Sequence, residues 1–93
     1  MSYRVLLSIE ASDDLRRLVV HLHEVSPQAA RRARATLLQA LESLTSMPER
    51  ARPIVAGVRE LPVKFGHYGY ALRYVVEEQV VFVTRIRHVR EQP

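Results

Sequence analysis

No cysteine occurs in the 93 residues, which excludes disulfides and thiolate metal sites and fits an intracellular location. No apolar run approaches the roughly 18 residues of a membrane span, so no membrane partner is expected. Low-complexity tracts and internal repeats are absent, so neither disorder nor a solenoid is expected. The start, Met1-Ser-Tyr-Arg-Val5, passes straight into alternating strand sequence and does not read as a signal peptide. Lysine is nearly absent: Lys64 is the single lysine among fourteen basic residues, and the other thirteen are arginine. Against ten acidic residues this leaves a net charge of +4. That balance admits an anionic partner, either nucleic acid or an acidic protein segment. Arginine's planar fork suits carboxylates, phosphates and aromatic faces, although a GC-rich genome produces the same bias.

What is present reads as one α+β domain over residues 1–93, small enough to bury only roughly 60–65% of its unfolded surface. Tyr3, Val5, Leu7 and Ile9 alternate with Arg4, Leu6 and Ser8, as a half-buried strand should. Ser12 and Asp13 offer N-caps for a first helix, whose apolar stripe is Leu15, Leu18, Val19, Leu22 and Val25. Ser26-Pro27 restarts a helix with a cap residue and proline at its first position. Ala30, Ala33, Leu37, Leu38, Leu41 and Leu44 give the second stripe, its early alanines allowing close approach. The prediction is an antiparallel helical hairpin with almost no loop. Residues 47–57 read as a polar connection punctuated by Pro48, Pro53 and Gly57. Three β-rich runs follow: Val58–Val63, Tyr70–Val76 and Val80–His88. Pro62 cannot donate to a ladder, which argues for an edge position for the first of them.

Register decides which arginines share a face. A two-residue loop at Glu77-Glu78 sets Leu72 opposite Val83 and Tyr74 opposite Val81, under the helices. The other face then holds Ala71, Arg73 and Val75 with Val80, Phe82, Thr84, Ile86 and His88. Because strand side chains alternate, a one-residue change in the loop would reverse this assignment.

In this order, these segments resemble the RelE/ParE superfamily of bacterial type II toxin–antitoxin toxins. The resemblance runs through Ala11-Ser-Asp-Asp-Leu15, Pro27-Gln-Ala-Ala30, Pro48 with Arg52-Pro53, Arg59-Glu-Leu-Pro-Val63, the Tyr70–Tyr74 strand and Ile86-Arg-His-Val-Arg90. It implies a β-α-α-β-β-β fold: a helical hairpin on one face of a twisted, mostly antiparallel four-stranded sheet, its first strand parallel to its last. It also implies a cytoplasmic protein without cofactor or metal, neutralised by a cognate antitoxin encoded beside it.

RelE-like members of the superfamily cleave messenger RNA on the ribosome, whereas ParE-like members poison DNA gyrase. Metal-independent RNA cleavage needs groups that activate the 2′-hydroxyl, neutralise the transition state and protonate the leaving oxygen. The arginine usual in the nucleases three residues before the strand tyrosine falls on Ala71, and their terminal tyrosine falls on Val89. The expectation is therefore a ParE-like stoichiometric inhibitor, with Arg73, Phe82, Arg85, Ile86, Arg87, His88 and Arg90 contacting target or antitoxin. The alternatives are a ribosome-dependent endoribonuclease using Glu60, Lys64, Arg73 and His88, or a relative that binds antitoxin without toxicity.

Blander roles are available for individual residues. A histidine at a strand end, such as His88, ordinarily bonds a backbone carbonyl. His21 and His23 lie on different helix faces and cannot chelate a metal together. They read as surface residues, His67 reads as loop decoration, and Arg31, Arg32 and Arg34 as a solvated helix face. Arg59 and Glu60 read as partners in an adjacent-strand salt bridge, and Tyr70 and Tyr74 as core or rim aromatics.

Overall fold

The computed structural model describes residues 2–90, so both ends of the expected 1–93 domain lie outside the described residues. The chain runs β1 (Arg4–Leu7), α1 (Ile9–Val25), α2 (Pro27–Ser43), a short 3₁₀ turn (Pro48–Arg50), β2 (Arg52–Val55), β3 (Val58–Val63), β4 (Tyr70–Glu77) and β5 (Val80–His88). Its sheet has five strands in the order β1-β5-β4-β3-β2; β1 is parallel to β5 and every other pair is antiparallel. The fold is thus α+β with a mixed sheet, one strand larger than the four expected. Among the described residues no helix is long and apolar enough to cross a membrane.

The extra strand comes from the stretch read as connection. Arg52 and Pro53 pair with Glu60 and Arg59, and a bulge follows before Val55 meets Val58. β2, not β3, is therefore the edge strand. Pro62 is tolerated because β2 reaches along β3 only to Glu60, leaving the Pro62 end open on that side.

α1 also begins earlier than its sequence suggested. The Ser8 hydroxyl accepts from the Ala11 amide at 3.0 Å and donates to the Thr84 carbonyl at 3.0 Å, capping the helix and tying it to β5. Ser12 and Asp13 lie inside the helix, and Ile9, expected in the strand, is 78% exposed in its first turn. Val25 is exposed as well, so the buried stripe is Ala11, Asp14 and Leu18, with Leu15 and Leu22 half-buried. The single residue Ser26 closes α1 through its amide to the Leu22 carbonyl, and its hydroxyl accepts from the Ala29 amide to cap α2. Ala30 and Ala33 are buried, as their small size at the hairpin's closed end predicts.

The core lies between this hairpin and one face of the sheet: Leu37, Leu41 and Leu44 meet Leu72, Tyr74, Val81, Val83 and Ile86. Each fully buried aliphatic side chain contributes about 1.5–3 kcal/mol of transfer free energy. The Tyr74 hydroxyl donates to the Pro48 carbonyl, while the Arg59 guanidinium donates to the carbonyls of Glu49 and Ala51. Arg59 thus anchors the 3₁₀ turn, and Glu60 finds its cross-strand partner in Arg73 instead. Burial raises the Tyr74 phenol above its ordinary range despite the nearby Arg59 and Arg50, so it stays a donor.

The β4–β5 register explains what the sequence reading got right and wrong. The turn is Glu78-Gln79, one residue later than expected, with Glu78 at φ 55° and Glu77 opposite Val80. Both strands slide together, so Leu72, Tyr74, Val81 and Val83 keep their expected face, and all four are fully buried. Past Tyr74↔Val83 the ladder slips: Arg73 pairs with Arg85 and Leu72 with Ile86, leaving Thr84 as an extra residue. The bulge reverses everything after it. Ile86, expected on the open face, is 0% exposed in the core, and His88 lies on the helix side opposite Tyr70. Arg85 and Arg87 take the open face.

Candidate functional site

The face of the sheet away from the helices is assembled by register alone. Arg73 on β4 has Glu60 of β3 on one side and Arg85 of β5 on the other; Arg87 lies opposite Ala71. Two arginines directly opposite one another would repel. Each is drawn to a different carboxylate. Arg73 Nε donates to Glu60 Oε2 at 3.0 Å across the open face. Arg85 turns around the sheet edge, its Nε 2.8 Å from Asp14 Oδ2 and its Nη2 3.1 Å from Asp14 Oδ1. Farther along the same face Leu6, Val75, Val80 and Phe82 adjoin, with Leu6 and Phe82 each 37% exposed. The open face is thus apolar at one end and arginine-rich at the other.

Asp14 is the one buried charged residue among those described, 4% exposed. β1 covers β5 only as far as Val83, so the Ile86 amide would face an unpaired edge. Asp14 Oδ2 accepts from it at 2.9 Å, and Arg17 Nη2 adds a longer contact at 3.3 Å. Burial acts to raise the carboxyl's pKa, but the bonds from Arg85, the Ile86 amide and Arg17 outweigh it and hold Asp14 below the ordinary carboxylate range. This carboxylate therefore fixes both the end of β5 and the position of Arg85.

On the opposite side, α1, the loop after β3 and the end of β5 enclose a groove of about 790 Å³. Its floor is Leu18, Leu22, Phe65 and Tyr70, and its rim carries Arg17, His21, His67, His88 and Arg90. Tyr68, 53% exposed, stands between His67 and His88, with the Arg90 guanidinium 4.9 Å from its ring centre. Gly69 shapes the loop. At φ 103° its backbone passes so close to the Val63 carbonyl that a Cβ would sit 2.2 Å from that oxygen.

The residues nominated from sequence therefore divide three ways. Arg73, Phe82, Arg85 and Arg87 share the open face or its edge; Ile86 is core; His88 and Arg90 border the groove behind the sheet. The nuclease set does not assemble, because Glu60 and Arg73 pair on the open face, Lys64 lies exposed beyond the end of β3, and His88 faces the other way. Sequence reading missed Asp14 and treated His21 and His67 as unrelated surface residues. Asp14 had a legible signal: an acid at the fourth residue of the Ala11-Leu15-Leu18 stripe points inward. The groove had none. Among the described residues no three His, Cys, Asp or Glu side chains converge to hold a metal ion.

Comparison with known proteins fits this architecture. Residues 5–93 match the family described as "ParE toxin of type II toxin-antitoxin system, parDE". Toxin RelE1 of Caulobacter vibrioides is 42% identical over 92 residues, covering 99% of each chain; Toxin RelE3 of the same organism is 38% identical over 95% of this chain and 96% of its own. Among solved structures, the chromosomal ParDE system of P. aeruginosa aligns with a TM-score of 0.78 at 18% identity, over 96% of this chain and 98% of that one. The archaeal RelE–RelB complex of Pyrococcus horikoshii aligns with a TM-score of 0.59 at 15% identity, covering 99% and 100%. At those identities the structures speak to the fold, while the family match and the curated relatives span nearly the whole sequence. The chain belongs to the ParE toxin family, within the ParE/RelE superfamily of type II toxin–antitoxin toxins.

Proposed function

We propose that this toxin is ParE-like in action: it binds DNA gyrase stoichiometrically through the open sheet face, and a cognate antitoxin neutralises it by covering that face. The reading goes with a cytoplasmic protein serving plasmid or chromosome stabilisation. The observation that carries it is the composition of the open face. Arg73, Arg85 and Arg87 supply cationic contacts beside the apolar patch of Leu6, Val75 and Phe82, with Arg73 oriented by Glu60 and Arg85 by Asp14. Glu60 is held by Arg73 and His88 lies behind the sheet, so the groups that metal-free RNA cleavage needs are apart. An antitoxin segment would set apolar side chains on Leu6 and Phe82 and acids on the arginines. Covering about 1,600 Å² in total would also stabilise a small domain by mass action. The test is a supercoiling assay with purified gyrase: inhibition saturating at a fixed protein-to-gyrase ratio supports the reading, and unimpaired supercoiling at excess protein overturns it.

A second reading, message cleavage on the ribosome, draws on the RelE names of the curated relatives. It would use Glu60, Lys64, Arg73 and His88, and requires RNA to reach both faces of β5. Undiminished cleavage by His88→Ala in a translating extract would remove His88 from that set. If induced expression arrests no growth at all, the antitoxin-binding relative without toxicity is the surviving alternative.

A further inference from the structure

We infer that the outer face of α2 is a contact surface for the phosphate backbone of duplex DNA, carried by Arg31, Arg32 and Arg34. The inference goes beyond the reading of the open face and does not rest on gyrase being the target.

Several arginines are occupied within the fold. Arg16 donates to Asp13 at 2.7 Å, Arg50 to the carbonyls of Ser43 and Ser46, Arg59 to those of Glu49 and Ala51, and Arg73 to Glu60. Arg31, Arg32 and Arg34 differ: all three are exposed, and among the described residues none of them makes a hydrogen bond or an ion pair. The first turn of α2 holds no acid, and Glu24 in the last turn of α1 pairs with none of the three. The single carboxylate of α2, Glu42, lies about 12 Å beyond Arg34 along the helix axis. Arg31 and Arg34, three apart, are neighbours on the helix, and like charges at that spacing destabilise it. The fold thus carries a cluster of permanent cations that costs it stability and that nothing inside it neutralises.

Three features select a duplex as the occupant. At about 100° per residue the three positions fan over about 160° of the helix circumference, a convex surface suited to lying along a phosphate backbone. Apolar side chains adjoin Arg34 alone: Leu38 one turn on, and Val20 across the hairpin. Gln28, Ala29 and Ala35 lie beside the others, so an acidic protein segment would find charge there without the buried anchors that carry protein–protein affinity. Neither α1 nor α2 contains Phe, Tyr or Trp, so the stacking platform that single strands use is lacking, whereas a backbone contact needs only charge. The hairpin packs on the far side of the sheet from the open face, so DNA on α2 and a protein on the open face do not compete.

The experiment is fluorescence anisotropy of a labelled DNA duplex of about 20 base pairs, titrated with the full chain between about 50 and 200 mM salt. Arg31→Gln/Arg34→Gln is compared with Arg4→Gln/Arg52→Gln. The second pair removes the same charge from opposite edges of the sheet, where both arginines are exposed and, among the described residues, unpaired. The expected result is duplex binding that the α2 pair weakens about ten-fold or more at the lower salt, its log–log salt slope shallower by about 2, with the edge pair within about three-fold of wild type. The α2 variant should also melt no lower than wild type, because the charges it removes repel. The inference is overturned if the duplex does not bind, or if the two pairs weaken binding equally, which would leave net charge alone. A lowered melting temperature in the α2 variant would overturn it by making these arginines structural. Tighter binding of a thymidine oligonucleotide or of an RNA duplex, or displacement of the DNA by poly-glutamate at equal charge, would overturn it in favour of that other partner.

Discussion

Two surfaces diverge from a single strand. Up to Val83, β5 alternates core and open face in strict order; after the Thr84 bulge the alternation is reversed, sending Arg85 and Arg87 forward and His88 back. The forward surface is built on arginines that are partly neutralised in place, Arg73 by Glu60 and Arg85 by Asp14. The rear surface is a groove with an apolar floor and, among the described residues, a rim of histidine and arginine. One inserted residue thus separates a mixed apolar and cationic patch in front from a concave groove behind. Asp14 is what keeps the two apart: it holds the unpaired edge of β5, bonds Arg85 at the front, and reaches Arg17 at the rear.

Removing that carboxylate should break the comparison most severely. Asp14→Ala leaves the buried Ile86 amide unsatisfied. Its expected cost is about 2–3 kcal/mol, with the half-exposed Arg85 contributing little because water screens it. Urea denaturation would read the loss, and equal midpoints for variant and wild type would refute it. The pH dependence follows from the depressed pKa. Asp14's contribution is fully present above the ordinary carboxylate range near 4 and is lost as pH falls through its lower folded-state value. The stability gap between wild type and Asp14→Asn should therefore close on acidification.

Gly69→Ala attacks the groove wall, where the clash with the Val63 carbonyl forces the loop to move. A loss of about 2 kcal/mol is expected, with the open face, and the gyrase inhibition proposed for it, intact in the folded fraction. Tyr74→Phe removes one buried hydrogen bond to Pro48 and should cost about 1–1.5 kcal/mol in thermal unfolding, without favouring either surface. The smallest effect is a gain. Glu78 occupies the left-handed region at φ 55°, and Glu78→Gly should stabilise the hairpin by about 0.5–1 kcal/mol, leaving both surfaces unchanged.

Much of the scaffold was legible because its signals are local. The Ser26-Pro27 restart, the alanines of α2 and the alternation through Leu72, Tyr74, Val81 and Val83 each follow from side-chain size or spacing within a few residues. β2 was not legible, since Arg52-Pro-Ile-Val55 is proline-bearing and gains strand character only by pairing with β3. Nor was the true start of α1. Ser12 and Asp13 are ordinary caps by composition, and Ser8 prevails because its hydroxyl also bonds the Thr84 carbonyl, 76 residues away. The site suffered most. A bulge is a property of two strands and the helix edge beside them, so nothing within Val80–His88 announces that Ile86 turns inward and Arg85 outward.

The central claim, that the front face carries the toxic activity and the rear groove does not, is tested most directly by a detergent-quenched gyrase cleavage assay. Wild type, Arg87→Glu and His21→Glu/His67→Glu would be compared at equal concentration. The account predicts linear DNA accumulating with wild type and with the groove variant, and not with Arg87→Glu. Linear DNA absent with wild type, or lost in the groove variant and retained in Arg87→Glu, would contradict it.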